Sequence, residues 1–313
     1  MTLASSSAVR PLLRCPRCGG SLVGDMPSLR CSGCAIDFQS TAGQPIILDD
    51  LTEASNIATA GGNGEPSGLT RVARPVRRRI PAHVGTVYAN MRSFRSHIPQ
   101  HARVLIVGGG LAGHGVQALV SDPDLEVISF DIYPSDMTQF VADGHHVPLE
   151  SSSFDGVLIQ AVLEHVLAPE CIVGEIHRVL RPDGVVYAET AFMQHVHEGA
   201  HDFSRFTERG HRWLFREFEE IEGGPIGGPA LQLLWSIDYL VRGLTGSRLA
   251  GLRVRRALSV LERLDRRVRV EHRTDAAPAV FFLGRRSAAS ALESGELLRG
   301  YRGPTSNGTA GSG

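Results

Sequence analysis

The sequence predicts an α/β protein in which a doubly wound, mostly parallel sheet is covered by helices on both faces and preceded by a small zinc ribbon. Three observations predict it. Apolar strand-like runs alternate with helix-like stretches from Arg103 onward, a pattern that specifies a parallel sheet between helical layers. The first run, Val104-Leu-Ile-Val107, breaks directly into Gly108-Gly-Gly-Leu-Ala-Gly113, a strand followed by a glycine turn. Two Cys-x-x-Cys pairs, Cys15/Cys18 and Cys31/Cys34, flank a twelve-residue segment near the start of the chain.

Residues 1–50 form the ribbon. Each cysteine pair offers two thiolates from one tight turn, eased by Gly19, Gly20 and Gly33. Four thiolates make a closed tetrahedral Zn2+ site with no open position for water or substrate, so the metal is structural. A disulfide framework is the alternative, disfavoured in a cytosolic chain. A segment this small buries little apolar surface alone, so metal binding is expected to supply much of its folding energy. Residues 51–80 turn to Ala, Ser, Thr, Asn and Gly and carry arginines at 71, 74, 77, 78 and 79. That is a flexible basic linker by composition, with contact to RNA or an acidic partner as the other reading.

The main domain is expected over 81–285. Strands are read at 103–107, 126–130, 156–160 and 184–190, helices at 113–120, 135–142 and 169–180, and a late strand at 279–283. Cys171 falls in the third helix as a small core residue. Arg181-Pro-Asp-Gly184 reads as a tight turn. Two amphipathic stretches, 231–241 and 249–264, suggest a helical lid at about 229–270 over the substrate end of the sheet. Nine arginines lie between Arg242 and Arg269, with Glu262 and Asp265 the only acids in that interval. Such a face suits anionic head groups at a membrane surface, phosphorylated substrates or RNA, or is simply solvated. Residues 286–313 have the composition of a disordered tail.

All 32 basic residues of the 313 are arginine. Without lysine there is no P-loop lysine, no Schiff-base lysine and no lysine general base. The net charge of -1 gives no global bias toward nucleic acid or membrane. A hydrophobic content of 42% without an apolar run near 18 residues, and no secretory-type leader, make the cytoplasm the expected location.

The glycine loop outlines a nucleotide-cofactor site. Glycine lets the backbone approach a ligand closely, and Asp131, closing the next apolar run Val127 to Phe130, is placed to accept from ribose hydroxyls. Gly108, Gly110 and Gly113 also satisfy the dinucleotide spacing G-x-G-x-x-G, so the loop alone leaves the cofactor open.

The segments behind it narrow the choice. Asp143-Gly-His-His-Val-Pro-Leu149, Ser153-Phe-Asp155, Leu163-Glu-His-Val166 and Glu175-Ile-His-Arg-Val-Leu-Arg-Pro-Asp-Gly184 follow in order. With the glycine loop and Asp131, the region from about Val84 to Arg285 resembles a class I S-adenosylmethionine-dependent methyltransferase with a Rossmann-like sheet. The resemblance implies S-adenosylmethionine as cofactor, with Gly108 and Gly110 at its methionine part and Asp131 at the ribose. It further places Asp143 and Gly144 at the adenine and Gln160 near the methionine end. Helix capping is the alternative for Asp131 and Asp143, and an ordinary strand-end polar residue the alternative for Gln160. Phe154 and Leu163 read as packing residues, and Asp155 as a turn cap. The family often has an acid at the position of Ile106, and Ala112 stands where a further glycine is frequent. Residues 12–49 are similar to the zinc-ribbon module called Trm112-like, which implies a methyltransferase partner.

After the last parallel strand comes Glu189-Thr-Ala-Phe-Met-Gln-His-Val-His-Glu-Gly-Ala-His-Asp-Phe-Ser-Arg-Phe-Thr207. It resembles a methyltransferase branch with a His-x-x-x-His-Asp-Phe-x-Arg-Phe-Thr signature, which suggests a hydroxylated small molecule, secondary metabolite or glycan as acceptor. Methyl transfer from a sulfonium needs an aligned nucleophile and a base. His197 or His201 is the candidate base, with Asp202 orienting it. The alternatives for this loop are helix capping, with Arg205 pairing to a carboxylate, or a second metal site. The expected function is methyl transfer to oxygen or nitrogen. The rivals are an RNA methyltransferase, a non-catalytic scaffold on the same fold and, last, a nicotinamide or flavin oxidoreductase.

Overall fold

A computed structural model describes residues 3–49, 82–111, 113–288 and 291–304. The expected linker, with the arginines at 71–79, lies outside the described residues, as does Ala112.

The amino-terminal unit has a helical turn, α1 (Ser6–Val9), then a three-stranded antiparallel ribbon of β1 (Leu22–Asp25), β2 (Ser28–Cys31) and β3 (Asp37–Phe38), and a small hairpin of β4 (Ser40–Thr41) and β5 (Gln44–Pro45). Helix α2 (Ala82–Ser96) leads into β6 (Ala102–Val107), α3 (Val116–Val120), β7 (Leu125–Asp131), β8 (Phe140–Val141), β9 (Phe154–Gln160), α4 (Pro169–Val179) and β10 (Leu180–Ala191). Helix α5 (Glu208–Leu214), β11 (Phe218–Ile226), α6 (Pro229–Thr245), α7 (Arg248–Ala257), α8 (Val270–Ala276), β12 (Ala279–Arg286) and α9 (Ser294–Arg299) complete the order.

The main sheet runs β11-β12-β10-β9-β6-β7-β8. Strands β8, β7, β6, β9 and β10 are parallel, and β12 is antiparallel to both its neighbours. Because β6 continues to β7 on one side while β9 lies on the other, strand order reverses between β6 and β9. The carboxyl edge there is the crevice where open α/β sheets bind ligands.

Alternation along β6 divides the core. Leu105 and Val107 face a layer with Ile172, Ile176 and Val179 of α4, while Val104 and Ile106 face Val87, Met91 and Phe94 of α2. Phe154 and Leu163 are fully buried packing residues. Among the described residues no helix is long and apolar enough to cross a membrane.

The ribbon is part of this core. Val9, Leu13, Leu29 and Ile47 share one cluster with Phe130, Phe140 and Leu149. The Ile47 amide donates to the Val141 carbonyl at 2.8 Å and the Arg14 amide to that of Pro148 at 2.9 Å. The chain around Ile46 thus covers the exposed edge of β8, which would otherwise be a site for unwanted strand pairing. The amino-terminal unit therefore gains apolar burial from its neighbour as well as any stability a metal gives it.

Several elements differ from expectation. The helix expected at 135–142 is absent. Thr138 Oγ1 accepts from the Ser135 amide and donates to Gln44, local bonds of the kind that compete with helix, while Phe140 stacks on Phe130 at 5.4 Å and pairs with β7. Helix α3 starts at Val116 rather than 113, after Gly115 with φ 85°. Arg181–Gly184 lies inside β10 as an irregularity, with Asp183 at φ 65°. Cys171 is exposed, since the buried stripe of α4 runs through Ile172, Ile176 and Val179. Strand β11 went unread because its acids alternate poorly with apolar residues; it is an edge strand bearing Glu219, Glu220 and Glu222. Within the expected tail, α9 has Glu296 in its first turn and Arg299 in its last, in register with the helix dipole.

The insertion at 229–270 is helical. Asp265 accepts from the Ala230 and Leu231 amides at the start of α6. Asp238, outside the interval read for acids, pairs with Arg242 and Arg255, so this basic face is partly neutralised from within.

Candidate functional site

Gly108, at φ 72°, turns the chain out of β6, and a Cβ there would stand 2.2 Å from Val162 Cγ2. The Gly110 amide donates to Asp131 Oδ2 at 2.7 Å. A Cβ on Gly110 would lie 2.4 Å from the Tyr133 ring and 2.7 Å from that carboxylate oxygen, so this position admits only glycine without local rearrangement. Asp131 Oδ1 accepts from the Ile132 amide at 2.7 Å. Burial pushes its carboxyl pKa up, against these N–H bonds. Each oxygen has a second lone pair for a further donor.

Asp143 caps the short 3-10 turn Gly144–His146, accepting from the His145 amide at 2.8 Å and lying 2.7 Å from His145 Nδ1. Asp143 is engaged in this cap through Oδ1 alone among the bonds to His145. A cavity of about 280 Å³ opens beside it, lined also by Ile47, Leu48 and Asp49 of the amino-terminal unit.

Gln160 ends β9 opposite Glu189 of β10. Its Oε1 is buried without a hydrogen-bond partner among the described residues, and a Cβ on Gly113 would come within 2.6 Å of it. Tyr187 donates its hydroxyl hydrogen bond to Glu189 Oε1 and accepts from Asn90 Nδ2 at 3.0 Å. Burial pushes the Glu189 carboxyl up to about 7, partly opposed by hydrogen bonds from Tyr187 and Gln160. Register puts Ile106, Leu158 and Tyr187 side by side. Glu189, two residues beyond Tyr187, therefore shares a face with Ile106. Glu189 was missed in the sequence because it lies near the end of an apolar strand without any local motif.

The histidine loop is tied down at several points. Arg205 donates to both carboxylate oxygens of Asp202, at 2.7 Å from Nη2 to Oδ2, and to the carbonyls of Gln194 and His195. The guanidinium holds the Asp202 carboxyl well below the usual carboxylate range. His197 approaches the same carboxylate, with its amide at 2.9 Å and Nδ1 at 3.4 Å. The amides of Phe203 and Ser204 donate to the Glu164 carbonyl. Thr207, and not Asp202, caps α5. His201 contributes a backbone carbonyl to His165 Nδ1 at 2.8 Å. The side chains brought together are therefore His197, Asp202 and Arg205 with Glu164 and His165, the last two legible beforehand only as part of a motif. His195 stacks on Tyr239 of α6 at 4.7 Å, so the helical insertion reaches this loop.

In the ribbon, Cys15 and Cys34 Sγ stand 3.7 Å apart and those of Cys18 and Cys31 3.4 Å. All four lie within 4.8 Å of one another, with no disulfide formed. Tetrahedral Zn–S bonds of about 2.3 Å imply sulfurs about 3.8 Å apart. The Gly33 and Cys34 amides donate to Cys31 Sγ at 3.3 and 3.4 Å, and these N–H groups help lower its pKa to about 6. A Cβ at Gly20 would press on two of the sulfurs at 3.2 Å.

Residues 105–188, from β6 to β10, match the family model described as a methyltransferase domain. No functionally curated protein matches the chain by sequence. Among solved structures, similarity extends to a Galdieria sulphuraria protein provisionally named a sarcosine dimethylglycine methyltransferase (15% identity, 66% of this chain and 86% of that one, TM-score 0.44). It also extends to the phosphoethanolamine N-methyltransferase 2 of Haemonchus contortus (15% identity, 64% and 53%, TM-score 0.43). A third is the 1,6-didemethyltoxoflavin-N1-methyltransferase of Burkholderia thailandensis (15% identity, 66% and 80%, TM-score 0.40).

Proposed function

We propose that this protein transfers the methyl group of S-adenosylmethionine to an oxygen or nitrogen of a small molecule or glycan. The observation that carries the reading is the methyltransferase-domain match over 105–188, which spans the glycine loop, Asp131, Asp143 and Gln160. The cradle fits such a cofactor: glycines that no Cβ can replace without a clash, a carboxylate at the end of β7, and a buried acceptor on Gln160 with no partner among the described residues.

In this reading the backbone at Gly108 and Gly110 lies against the methionine part, Asp131 accepts from the ribose hydroxyls, and Asp143 with Gly144 faces the adenine. Ile106, in the core, offers the ammonium nothing. Glu189 and Gln160 Oε1 together provide two acceptors suited to it. The cofactor, when bound, supplies a methyl group activated by positive sulfur. An imidazole of the loop, His197 or His201, would take the proton of the acceptor oxygen or nitrogen as its bond to the methyl group forms and the methyl–sulfur bond breaks, leaving neutral S-adenosylhomocysteine. Asp202, held by Arg205, positions the loop, and α6 with Tyr239 against His195 acts as a lid that keeps water out. The four cysteines hold Zn2+ as a structural ion, in keeping with their spacing and the glycine clearance around them.

The test is methyl acceptance from labelled S-adenosylmethionine, with metabolite, glycan and RNA fractions offered separately. Label in the metabolite or glycan fraction, reduced by His197→Ala or His201→Ala without loss of cofactor binding, is the expected result. Label found only in ribonuclease-sensitive material would contradict the acceptor class.

A further inference from the structure

Glu164, His165 and His197 form a cluster that neither the cofactor cradle nor the cysteine site uses. Their ligand atoms, one from each residue, all lie within 4.8 Å of one another, and the two imidazoles meet edge to face at 4.8 Å between centroids. Glu164 is 1% exposed. Its Oε1 accepts from the Ala191 amide at 3.2 Å, while Oε2 is buried with no hydrogen-bond partner among the described residues. An acceptor oxygen left bare at depth costs free energy unless something fills its place.

Hydrogen bonds at Nδ1 leave one ring nitrogen of each histidine free. His165 Nδ1 faces the His201 carbonyl at 2.8 Å, and so carries the proton, leaving the Nε2 lone pair available. His197 Nδ1 lies 3.3 Å from the His195 carbonyl and 3.4 Å from Asp202 Oδ2, which fixes the same tautomer. Imidazoles that donate from one nitrogen to a carbonyl or carboxylate and offer the other are the usual form of metal-binding histidine. Asp202, clamped by Arg205, supplies this support for His197.

We propose that Glu164, His165 and His197 bind one divalent first-row transition ion, in the Fe2+ to Zn2+ range, through two imidazole nitrogens and one carboxylate. Two nitrogens and one carboxylate oxygen are a ligand set that leaves coordination positions open. Glu164 follows β9 by four residues and bonds to the end of β10, so the ion sits at the carboxyl edge beside the cofactor cradle. There its open positions take an oxygen or nitrogen of the acceptor. This link to the acceptor rests on the methyl-transfer reading, and it makes His197 a ligand and leaves the proton to His201. The site itself rests on the cluster alone.

The experiment uses the full chain with its cysteine site saturated by Zn2+, titrated with Co2+ and, separately, with Mn2+. The expected result is one further equivalent of Co2+, with visible d–d absorption and no thiolate-to-cobalt charge-transfer band. Its affinity should fall at least tenfold in each of Glu164→Gln, His165→Gln and His197→Gln. S-adenosylhomocysteine is titrated into the same preparations, and its retained binding shows that the variants are folded. No Co2+ or Mn2+ uptake beyond the cysteine site, or uptake unchanged in the His165→Gln/His197→Gln double variant, overturns the proposal. Metal uptake without any S-adenosylhomocysteine binding leaves the site standing and removes the methyl-transfer reading instead.

Discussion

Replacing Glu189 by glutamine should stabilise the protein and weaken its cofactor binding at once. Burial raises this carboxyl from 4.5 to about 7. The native state therefore holds a proton that the unfolded chain has released, and stability falls as pH rises from about 4.5, the loss being complete above pH 7. At 1.36 kcal/mol per pH unit over the shift from 4.5 to about 7, the loss is on the order of 3–4 kcal/mol. A glutamine keeps an acceptor for the Tyr187 hydroxyl, and its NH2 group finds the unpartnered Gln160 Oε1 after a flip of that amide. Glu189→Gln should thus melt higher than wild type at pH 8 and about equally at pH 4.5. Against an ammonium, however, it loses a charge-assisted hydrogen bond of about 1.5–3 kcal/mol, or roughly 10- to 150-fold in Kd. Wild-type affinity for S-adenosylhomocysteine should weaken as pH falls below 7, by up to about tenfold per unit, and the variant should show no such slope. Calorimetric titration at pH 6, 7 and 8, with melting curves at each pH, reads both effects. Equal affinity in the two proteins with the same pH profile would refute the assignment of Glu189 to the cofactor.

Gly110→Ala should cost about 1–3 kcal/mol through contact with Tyr133, and cofactor binding should be lost even where the variant remains folded, as read by thermal melts with and without S-adenosylhomocysteine. Arg205→Ala frees the loop held through Asp202, Gln194 and His195; turnover should drop at least tenfold with cofactor Kd changed less than about threefold, a split that steady-state kinetics and calorimetry resolve. Chelation of the metal proposed for the four cysteines, or Cys31→Ser, should lower Tm of the whole protein in a single transition, because the two units share one core; two separate transitions in calorimetric scans would count against that continuity.

The parallel strands and the glycine turn were legible because each is set locally: apolar runs of strand length, bounded by residues that end them. Phe154 and Leu163 were readable as core for the same reason. The segment 135–142 misled because its fate depends on partners distant in sequence, Phe130 and Gln44. Docking of the ribbon had no local signature, since Leu13, Ile47 and Phe140 look like ordinary apolar residues until the sheet edge brings them together. Asp131 and Gln160 could be placed at the carboxyl edge of the sheet from their positions at strand ends. Glu189 and the Glu164, His165 and His197 group became visible only when register aligned neighbouring strands and the histidine loop folded back over them.

The most direct test of the central reading is a thermal-shift and calorimetric comparison of S-adenosylmethionine, S-adenosylhomocysteine, NAD+ and FAD on the full chain. At a ligand concentration 100 times Kd, binding should add about 2.7 kcal/mol and raise Tm by roughly 5–10 °C, for the first two compounds alone and with one site per chain. No shift and no heat with either at millimolar concentration, or stabilisation by NAD+ or FAD in their place, would contradict it.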